Sequence, residues 1–492
     1  MKFATPEKMG ISSENILRFV NKLEDSRLST HDIIIMRGGK IVYEAYWKPF
    51  NKDFQHRMYS VTKSFVAIAI GFLEQEGKLS LDDKISKYFP DELKNQTDEN
   101  MHNQTIRHML MMSTSKTERS WFTARTDDRV RFYFENDKPK NSRPSGTIYQ
   151  YDSTGSFILG ALVERLSEMT LIDYLRDRLF DKIGVSKEAT CLKCPGGHSW
   201  GDSALICLPR DLLLVAKFMM DGGKWNGEQI LNKEFVTAAT SKQVDNSILN
   251  DVEYNSFGYG YQIWRTFDNS FFFNGMGCQF AVCIPDKDMI FIYNADNQGK
   301  DYAKKIIFDN FYDLIARTAQ DLPLPENEKA QKELAEYTAS LKLAHAIGEK
   351  TSPTADRINN KTFVMNDNPM GISKIRLSFN GDGGTFYYTN EQGDKELPFG
   401  MCRNEFVPFP QDGYSDIVGS QKGAERYNCA CSAAWVMPET LIIKVQIIDK
   451  YFGVLNIKLG FIDNKIGIQM VKTAEDFLDE YTGFAGGKIE NR

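Results

Sequence analysis

The chain has 492 residues, 42% of them hydrophobic, with a formal net charge of -6 and a pI near 5.7. That length gives room for two or three domains around sizeable cores, and Lys and Arg residues scattered among acids offer no basic footprint, which excludes nucleic acid as a partner. The N-terminus MKFATPEKMGISSEN has no apolar segment behind Lys2, and the longest apolar run, Phe65 to Leu73, falls far short of the roughly 20 residues that span a bilayer, so a cytoplasmic protein without membrane partners is expected.

Eight cysteines in such a setting read as reduced thiols. Cys191 and Cys194 with His198 nearby lack the further ligands that would complete a metal site, and neither a metal nor another cofactor is expected.

In chain order, Ser12 or Ser13 caps a helix running to about Ser26, after which Ile33 to Ile35 and Lys40 to Tyr43 flank Gly38-Gly39 as a hairpin. Phe65 to Ile70 is apolar on every side and predicts a helix buried within a domain. A second apolar helix follows Tyr149 to Gly155, and further helices are predicted over Thr170 to Lys182, Arg210 to Asp221 and Lys233 to Thr240, with Gly184 and Gly222-Gly223 as stops. Tyr259 to Trp264, Phe271 to Phe273, Cys278 to Ile284 and Met289 to Tyr293 read as strands between Asp268-Asn269 and Pro285 to Asp288 turns. Strands at both ends of a helical middle predict an α+β domain over residues 1–322, an antiparallel sheet with flanking helices and a helical subdomain, closed by a helix from about Tyr302 to Ala319. Pro323 and Pro325 open a helical linker over 323–360, with a charged helix from Glu326 to about Leu343. Residues 361–492 read as a small all-β domain, with strands at Ile375 to Phe379, Thr385 to Thr389, Leu441 to Ile447, Val454 to Phe461 and Lys465 to Val471.

Chemistry concentrates at Ser60-Val61-Thr62-Lys63. A Ser-x-x-Lys pattern arises by chance about twice in a chain this long, and a second copy, Ser113 to Lys116, lies in a polar run that reads as a loop. Ser60, by contrast, directly precedes the buried helix. There its hydroxyl sits at the positive end of the helix dipole, its N–H is free to face an oxyanion, and Lys63 falls on the same helical face. Serine attacks only when a base removes its proton, and lysine is that base only when neutral, a state favoured by burial and neighbouring positive charge. Tyr151, on a loop entering a helix, has a phenol able to relay a proton or simply a half-buried ring at a helix start. At Asn274-Gly275-Met276-Gly277 the glycines allow close backbone approach to a ligand or merely a tight strand turn.

In this order and spacing, with Tyr151 about 90 residues after Ser60 and the glycine strand about 120 further, the motifs resemble the serine beta-lactamase and penicillin-binding-protein superfamily. The likeness is to its class C and esterase-like branch and covers about residues 1–320. It implies a beta-lactamase-like fold with Ser60 as the acylated serine, Lys63 as its base, Tyr151 as proton relay, and the N–H groups of Ser60 and Met276 as the oxyanion hole. Substrate contacts are expected from Ser153, Asn274 and Gly275. Tyr151-Asp152-Ser153 stands where lactamases carry Tyr-x-Asn, and Asn274-Gly275-Met276 where they carry Lys-Thr-Gly or His-Thr-Gly, which argues against beta-lactams. The expected activity is hydrolysis of a small ester or amide through an acyl-enzyme. Three alternatives stay open: transfer of the acyl group to a hydroxyl, a beta-lactamase or D-alanyl peptidase, and a binding protein that has lost turnover.

Overall fold

The computed structural model describes residues 1–490 apart from 118, 119, 123, 125, 136–140, 250–252, 413–425 and 476. The chain divides into two compact units, Met1–Lys342 and Leu343–Arg492.

The first unit is built on a seven-stranded sheet of β1 (Lys2–Phe3), β2 (Thr30–Arg37), β3 (Lys40–Tyr46), β4 (Trp264–Arg265), β5 (Phe271–Gly275), β6 (Gln279–Ile284) and β7 (Met289–Ala295). The strand order is β1-β3-β2-β7-β6-β5-β4, antiparallel except where β1 joins β3. The hairpin predicted around Gly38-Gly39 is thus β2–β3, and β7 pairs with β2, so the two ends of the domain sequence share one sheet. The strand expected over Tyr259 to Trp264 is shorter than its apolar residues imply. The chain turns at Gln262, whose φ is 57°, and the Gln262 amide nitrogen is committed to the carbonyls of Met109 and Leu110 at 2.9 and 3.0 Å.

The principal helices are α1 (Ser13–Asp25), α2 (Thr62–Gln75), α3 (Ser153–Ser167), α4 (Pro209–Met220), α5 (Ala303–Phe311) and α6 (Glu328–Ser340). One face of the sheet is covered by α1 and α5. Phe19, Phe291, Phe308 and Phe311 meet there in a single core, with Phe291 stacked on Phe311 at 4.0 Å between ring centroids. Helix α4 packs on the opposite face, and α2 packs against α3 in the helical middle. The predicted helix after Thr170 runs as Leu171–Leu175, a wider π turn at Arg176–Phe180, and Asp181–Ile183, ending at Gly184. Helix α6, expected within a linker over 323–360, packs along α1 in the first unit, which places the division at Lys342 rather than near Leu322.

In the second unit, the stretch 348–360 is ordered. Ser352 caps a short helix, Pro353–Ile358, and Glu349 pairs with Trp435. Ten strands follow: β8 (Thr362–Met365), β9 (Lys374–Phe379), β10 (Gly383–Asn390), β11 (Gly393–Met401), β12 (Glu405–Pro408), β13 (Asn428–Met437), β14 (Thr440–Ile448), β15 (Phe452–Ile462), β16 (Lys465–Ala474) and β17 (Gly483–Ile489). Their order is β11-β10-β9-β8-β17-β16-β15-β14-β13-β12, and β11 also pairs in parallel with β13, which closes the sheet into a barrel. Alternate residues such as Leu455, Ile457, Leu459 and Phe461 are buried, the period-two pattern of a sheet with one face inward. No helix among the described residues is long and apolar enough to cross a membrane.

Phe291→Ala removes the ring that joins β7 to both α1 and α5. It is expected to destabilise the first unit by about 3–5 kcal/mol in urea denaturation, and a loss below about 1 kcal/mol would show that the aromatic cluster is not what holds helices to sheet.

Candidate active site

Ser60 lies in a one-turn 3-10 segment, Tyr59–Val61, that leads directly into α2. The turn is fastened at both ends. Met58 N–H donates to Leu205 O at 2.8 Å, the Thr62 hydroxyl donates to Tyr59 O at 2.6 Å, and the same hydroxyl accepts from Leu205 N at 3.0 Å. Tyr59, just before the serine, has φ of 46°, a left-handed conformation that costs a non-glycine residue on the order of 1–3 kcal/mol and persists only where its surroundings impose it. Its ring is buried with the Arg57 guanidinium 4.7 Å above it. These contacts offset the strain and aim Ser60 away from the helix core.

Lys63, one turn into the same run, is 1% exposed. Its Nζ donates to Ser60 Oγ at 3.0 Å and to the main-chain oxygen of Asp202 at 2.6 Å. Residue 202 reaches α2 because two glycines face each other. A Cβ on Gly160 would stand 3.3 Å from the Cα of Gly201, and one on Gly201 would stand 3.3 Å from both Gly160 Cα and Val66 Cγ2. A larger residue at either position would push the loop, and with it the Asp202 carbonyl, off the lysine.

Tyr151 completes the cluster. Lys63 Nζ is 5.2 Å from the centroid of its ring, and the ring stacks on Trp264 at 5.6 Å and 27°. Gln150 N–H donates to Met112 O at 2.8 Å, and Asp152 caps α3 by accepting from Thr154 N at 3.0 Å, so Tyr151 is held from both sides. Ser60, Lys63 and Tyr151, separated by up to 91 positions in sequence, are therefore neighbours in space.

The glycine strand approaches from the sheet. The Ser60 turn packs on β5 and β6, and a Cβ on Gly275 would lie 2.4 Å from Met58 O, so only glycine fits beside the backbone that carries the serine. Met276 begins the turn between β5 and β6 and is 38% exposed; its carbonyl is held by Gln279 Nε2 at 2.9 Å, while Cys278 N–H closes the turn on Gly275 O. Asn274 is not brought to this group. It alternates with Gly275 along β5, so its side chain lies on the α5 face, where its amide oxygen accepts from Lys304 Nζ at 3.1 Å. The expected substrate contact from the Asn274 side chain is corrected accordingly. Ser153 is the first residue of α3 and is half-buried.

Residues outside this cluster have other roles. The second Ser-x-x-Lys, Ser113 to Lys116, is a loop in which Ser115 N–H is taken by the Gln104 side chain. Trp121 and Tyr133 are core residues, with Trp121 against Phe157 at 5.2 Å and Tyr133 hydrogen-bonded to Gln104 at 3.1 Å. All eight cysteines are free thiols, and no His, Cys, Asp or Glu cluster among the described residues has the geometry to hold a metal.

Sequence reasoning passed over Asp202, Arg57 and Trp264. Trp264 had a signal, an aromatic at the sheet edge. Asp202 had none, being a single acid between Gly201 and Ser203 outside any periodic pattern. Burial raises the Asp202 carboxyl to about 6, against the opposing pull of Lys63, Arg57 and Arg129. Burial also raises the Asp152 carboxyl, and hydrogen bonds from Thr154 and Thr114 counter it.

Against known proteins, the chain is 23% identical over 220 residues to the 6-aminohexanoate-dimer hydrolase of Paenarthrobacter ureafaciens, covering 42% of this chain and 56% of that one. The chain thus spans little more than half the length of that relative. Among solved structures it is similar to the octameric penicillin-binding protein homologue from Pyrococcus abyssi, with a TM-score of 0.50 at 16% identity, covering 96% of this chain and 99% of that one. It is also similar to EstCE1, described as a hydrolase with promiscuous acyltransferase activity, with a TM-score of 0.50 at 15% identity over 61% of this chain and 98% of that one. The beta-lactamase family model matches residues 19–310, a span that holds Ser60, Lys63, Tyr151 and Gly275, and the chain belongs to the beta-lactamase family.

Proposed function

We propose that the protein is a serine hydrolase that forms an acyl-enzyme on Ser60 and cleaves the ester or amide bond of a small substrate. The observation that carries this reading is the half-buried contact of Lys63 Nζ with Ser60 Oγ at 3.0 Å, a base within reach of a nucleophile that a strained turn presents. Lys63, as the base, takes the hydroxyl proton as Ser60 Oγ attacks the substrate carbonyl. The oxyanion is received by the N–H groups of Ser60 and Met276, on backbone segments that Gly275 allows to approach. Lys63 and Tyr151 pass the proton to the leaving group, and water then resolves the acyl-enzyme.

Two side chains support a substrate other than a beta-lactam. Ser153 stands with a hydroxyl where lactamases carry the amide of Tyr-x-Asn, and Asn274 faces Lys304 on the far side of β5, so neither presents a neutral amide or a cation to a bound acyl group. The curated relative's named substrate, a 6-aminohexanoate dimer, is a linear amide, which places linear amides among the compounds to try. A cytoplasmic setting fits the same reading.

Intact-mass measurement after incubation with p-nitrophenyl esters, linear amides and penicillin tests it. The wild-type chain is expected to gain an acyl group from an ester or amide and no stable adduct from penicillin, and Ser60→Ala is expected to gain none. An adduct persisting in Ser60→Ala, or no adduct across the panel, would sink the acyl-enzyme reading and leave a binding protein. Transfer to a hydroxyl would appear as alkyl ester product when alcohols are added during turnover. In steady-state assays Ser60→Ala and Lys63→Ala should each cost at least about a thousand-fold in kcat/KM, and the pair little more than either alone, since the two act as a unit. Tyr151→Phe should cost about 100-fold or more.

Gly275→Ala must displace the Met58 carbonyl. With the fold retained by circular dichroism, acylation is expected to slow about 100-fold, the cost of misplacing a nucleophile or losing one oxyanion donor. An unchanged acylation rate would remove β5 from the mechanism.

A further inference from the structure

Gln262 stands two residues before β4, 2% exposed, with φ of 57°, in the left-handed region where a residue other than glycine is held only by its surroundings. Those surroundings are hydrogen bonds. Its N–H donates to Leu110 O at 3.0 Å, and its side-chain nitrogen donates to Met109 O and Leu110 O at 2.9 and 3.0 Å. Its carbonyl accepts from the Ser64 hydroxyl at 2.8 Å, and its side-chain oxygen accepts from the Ser156 hydroxyl at 2.6 Å. Every polar atom of Gln262 is thus engaged inside the protein, and the partners lie on α2, on α3 and on the short helix Ile106–Leu110.

These partners are the neighbours of the acyl-enzyme cluster. Ser64 follows Lys63 on α2. Ser156 Oγ also lies 3.2 Å from the main-chain oxygen of Asp152, the residue after Tyr151. Leu110 leads within two residues to Met112, whose carbonyl accepts from Gln150 N–H at 2.8 Å and whose sulfur accepts from Asp152 N–H at 3.2 Å, so Met112 holds the residues on both sides of Tyr151. Trp264, two residues past Gln262, supplies the ring on which Tyr151 stacks at 5.6 Å between centroids. Routes run from Gln262 to Tyr151 through Ser156, Met112 and Trp264, and another runs to Lys63 through Ser64. A glutamine side chain fits this place because it offers donors and an acceptor on one plane without a charge to bury.

We propose that Gln262 is a positioning residue that fixes the Tyr151 phenol relative to Lys63 and Ser60, and with it the efficiency of proton transfer during acylation. The inference rests on the acyl-enzyme reading above, with Tyr151 as the relay. Removal of the amide frees the first turns of α2 and α3 to shift against each other. Reacting groups tolerate displacements of less than about 1 Å, so the loss falls on the chemical step and not on substrate binding.

Single-turnover acylation of the full chain by a p-nitrophenyl ester, run as a double-mutant cycle with Tyr151→Phe, tests this. Gln262→Met keeps the length of the side chain and removes its amide. It is expected to lower the limiting acylation rate about 10- to 100-fold with the half-saturating ester concentration within about twofold of wild type, and to cost no more than about threefold once Tyr151→Phe is present. A role in stability alone would lower the thermal midpoint and leave the folded protein acylating at the wild-type rate, which would overturn the proposal. Equal losses in the two backgrounds, or a loss confined to half-saturation, would overturn it too, and a Tyr151→Phe chain that acylates like wild type would remove the phenol from the mechanism and the proposal with it. Where Gln262→Met does not fold, Ser156→Ala, which takes away one partner of the same amide, goes through the same cycle, and failure of both to fold would assign Gln262 to folding and overturn the proposal equally. A wild-type chain that takes no acyl group would instead overturn the acyl-enzyme reading itself, so the two failures are separate.

Discussion

Placing a lysine amine inside a protein costs several kcal/mol unless neighbouring groups replace the water it loses, and Lys63 is buried almost completely. Its replacements are Ser60 Oγ on one side and the Asp202 carbonyl on the other, with the face of Tyr151 closing the third. Each arrives by a different route. The hydroxyl comes from a strained turn, the carbonyl from a loop admitted by Gly160 and Gly201, and the ring from a segment held on Met112. Loss of any one route leaves the buried amine short of one of its partners.

That requirement explains the division of labour between sheet and helices. The sheet is the rigid backing. It packs α1 and α5 through stacked aromatics on one face, and on the other it presses the glycine end of β5 against the serine turn. Helices α2 and α3 supply residues at their first turns, where free N–H groups and the helix dipole are available. Gln262 ties the two systems together: its carbonyl accepts from Ser64 at 2.8 Å, and its side-chain oxygen accepts from Ser156 at 2.6 Å, so one residue next to the sheet edge secures both helices.

Those parts that depend on local pattern were legible in the sequence. The apolar block after Ser60 announced a buried helix, Gly38-Gly39 a hairpin, and the alternation beyond residue 361 a β unit. Ser60, Lys63 and Tyr151 were readable because each precedes or opens an apolar helix. What depends on pairing at long range was not. The closure of the barrel by β11 on β13 joins segments that carry no mark of it, and the strands β8, β12 and β17 lie in stretches of mixed polarity. Asn274 was misassigned because a strand's alternation decides which of two adjacent residues faces a site, and the sequence does not say which face is which. Asp202 was invisible because it meets Lys63 through its main-chain oxygen, which every residue shares.

Both sheets also solve a problem that has nothing to do with catalysis. An open strand edge is a row of free peptide groups on which another chain can add a strand, the first step toward aggregation. The second unit avoids this by pairing β11 with β13, so that its sheet returns on itself. The first unit keeps an open sheet but ends it at β1 and β4, each only two residues long and each containing a cation, Lys2 or Arg265. Edges that short give an incoming strand little to pair with.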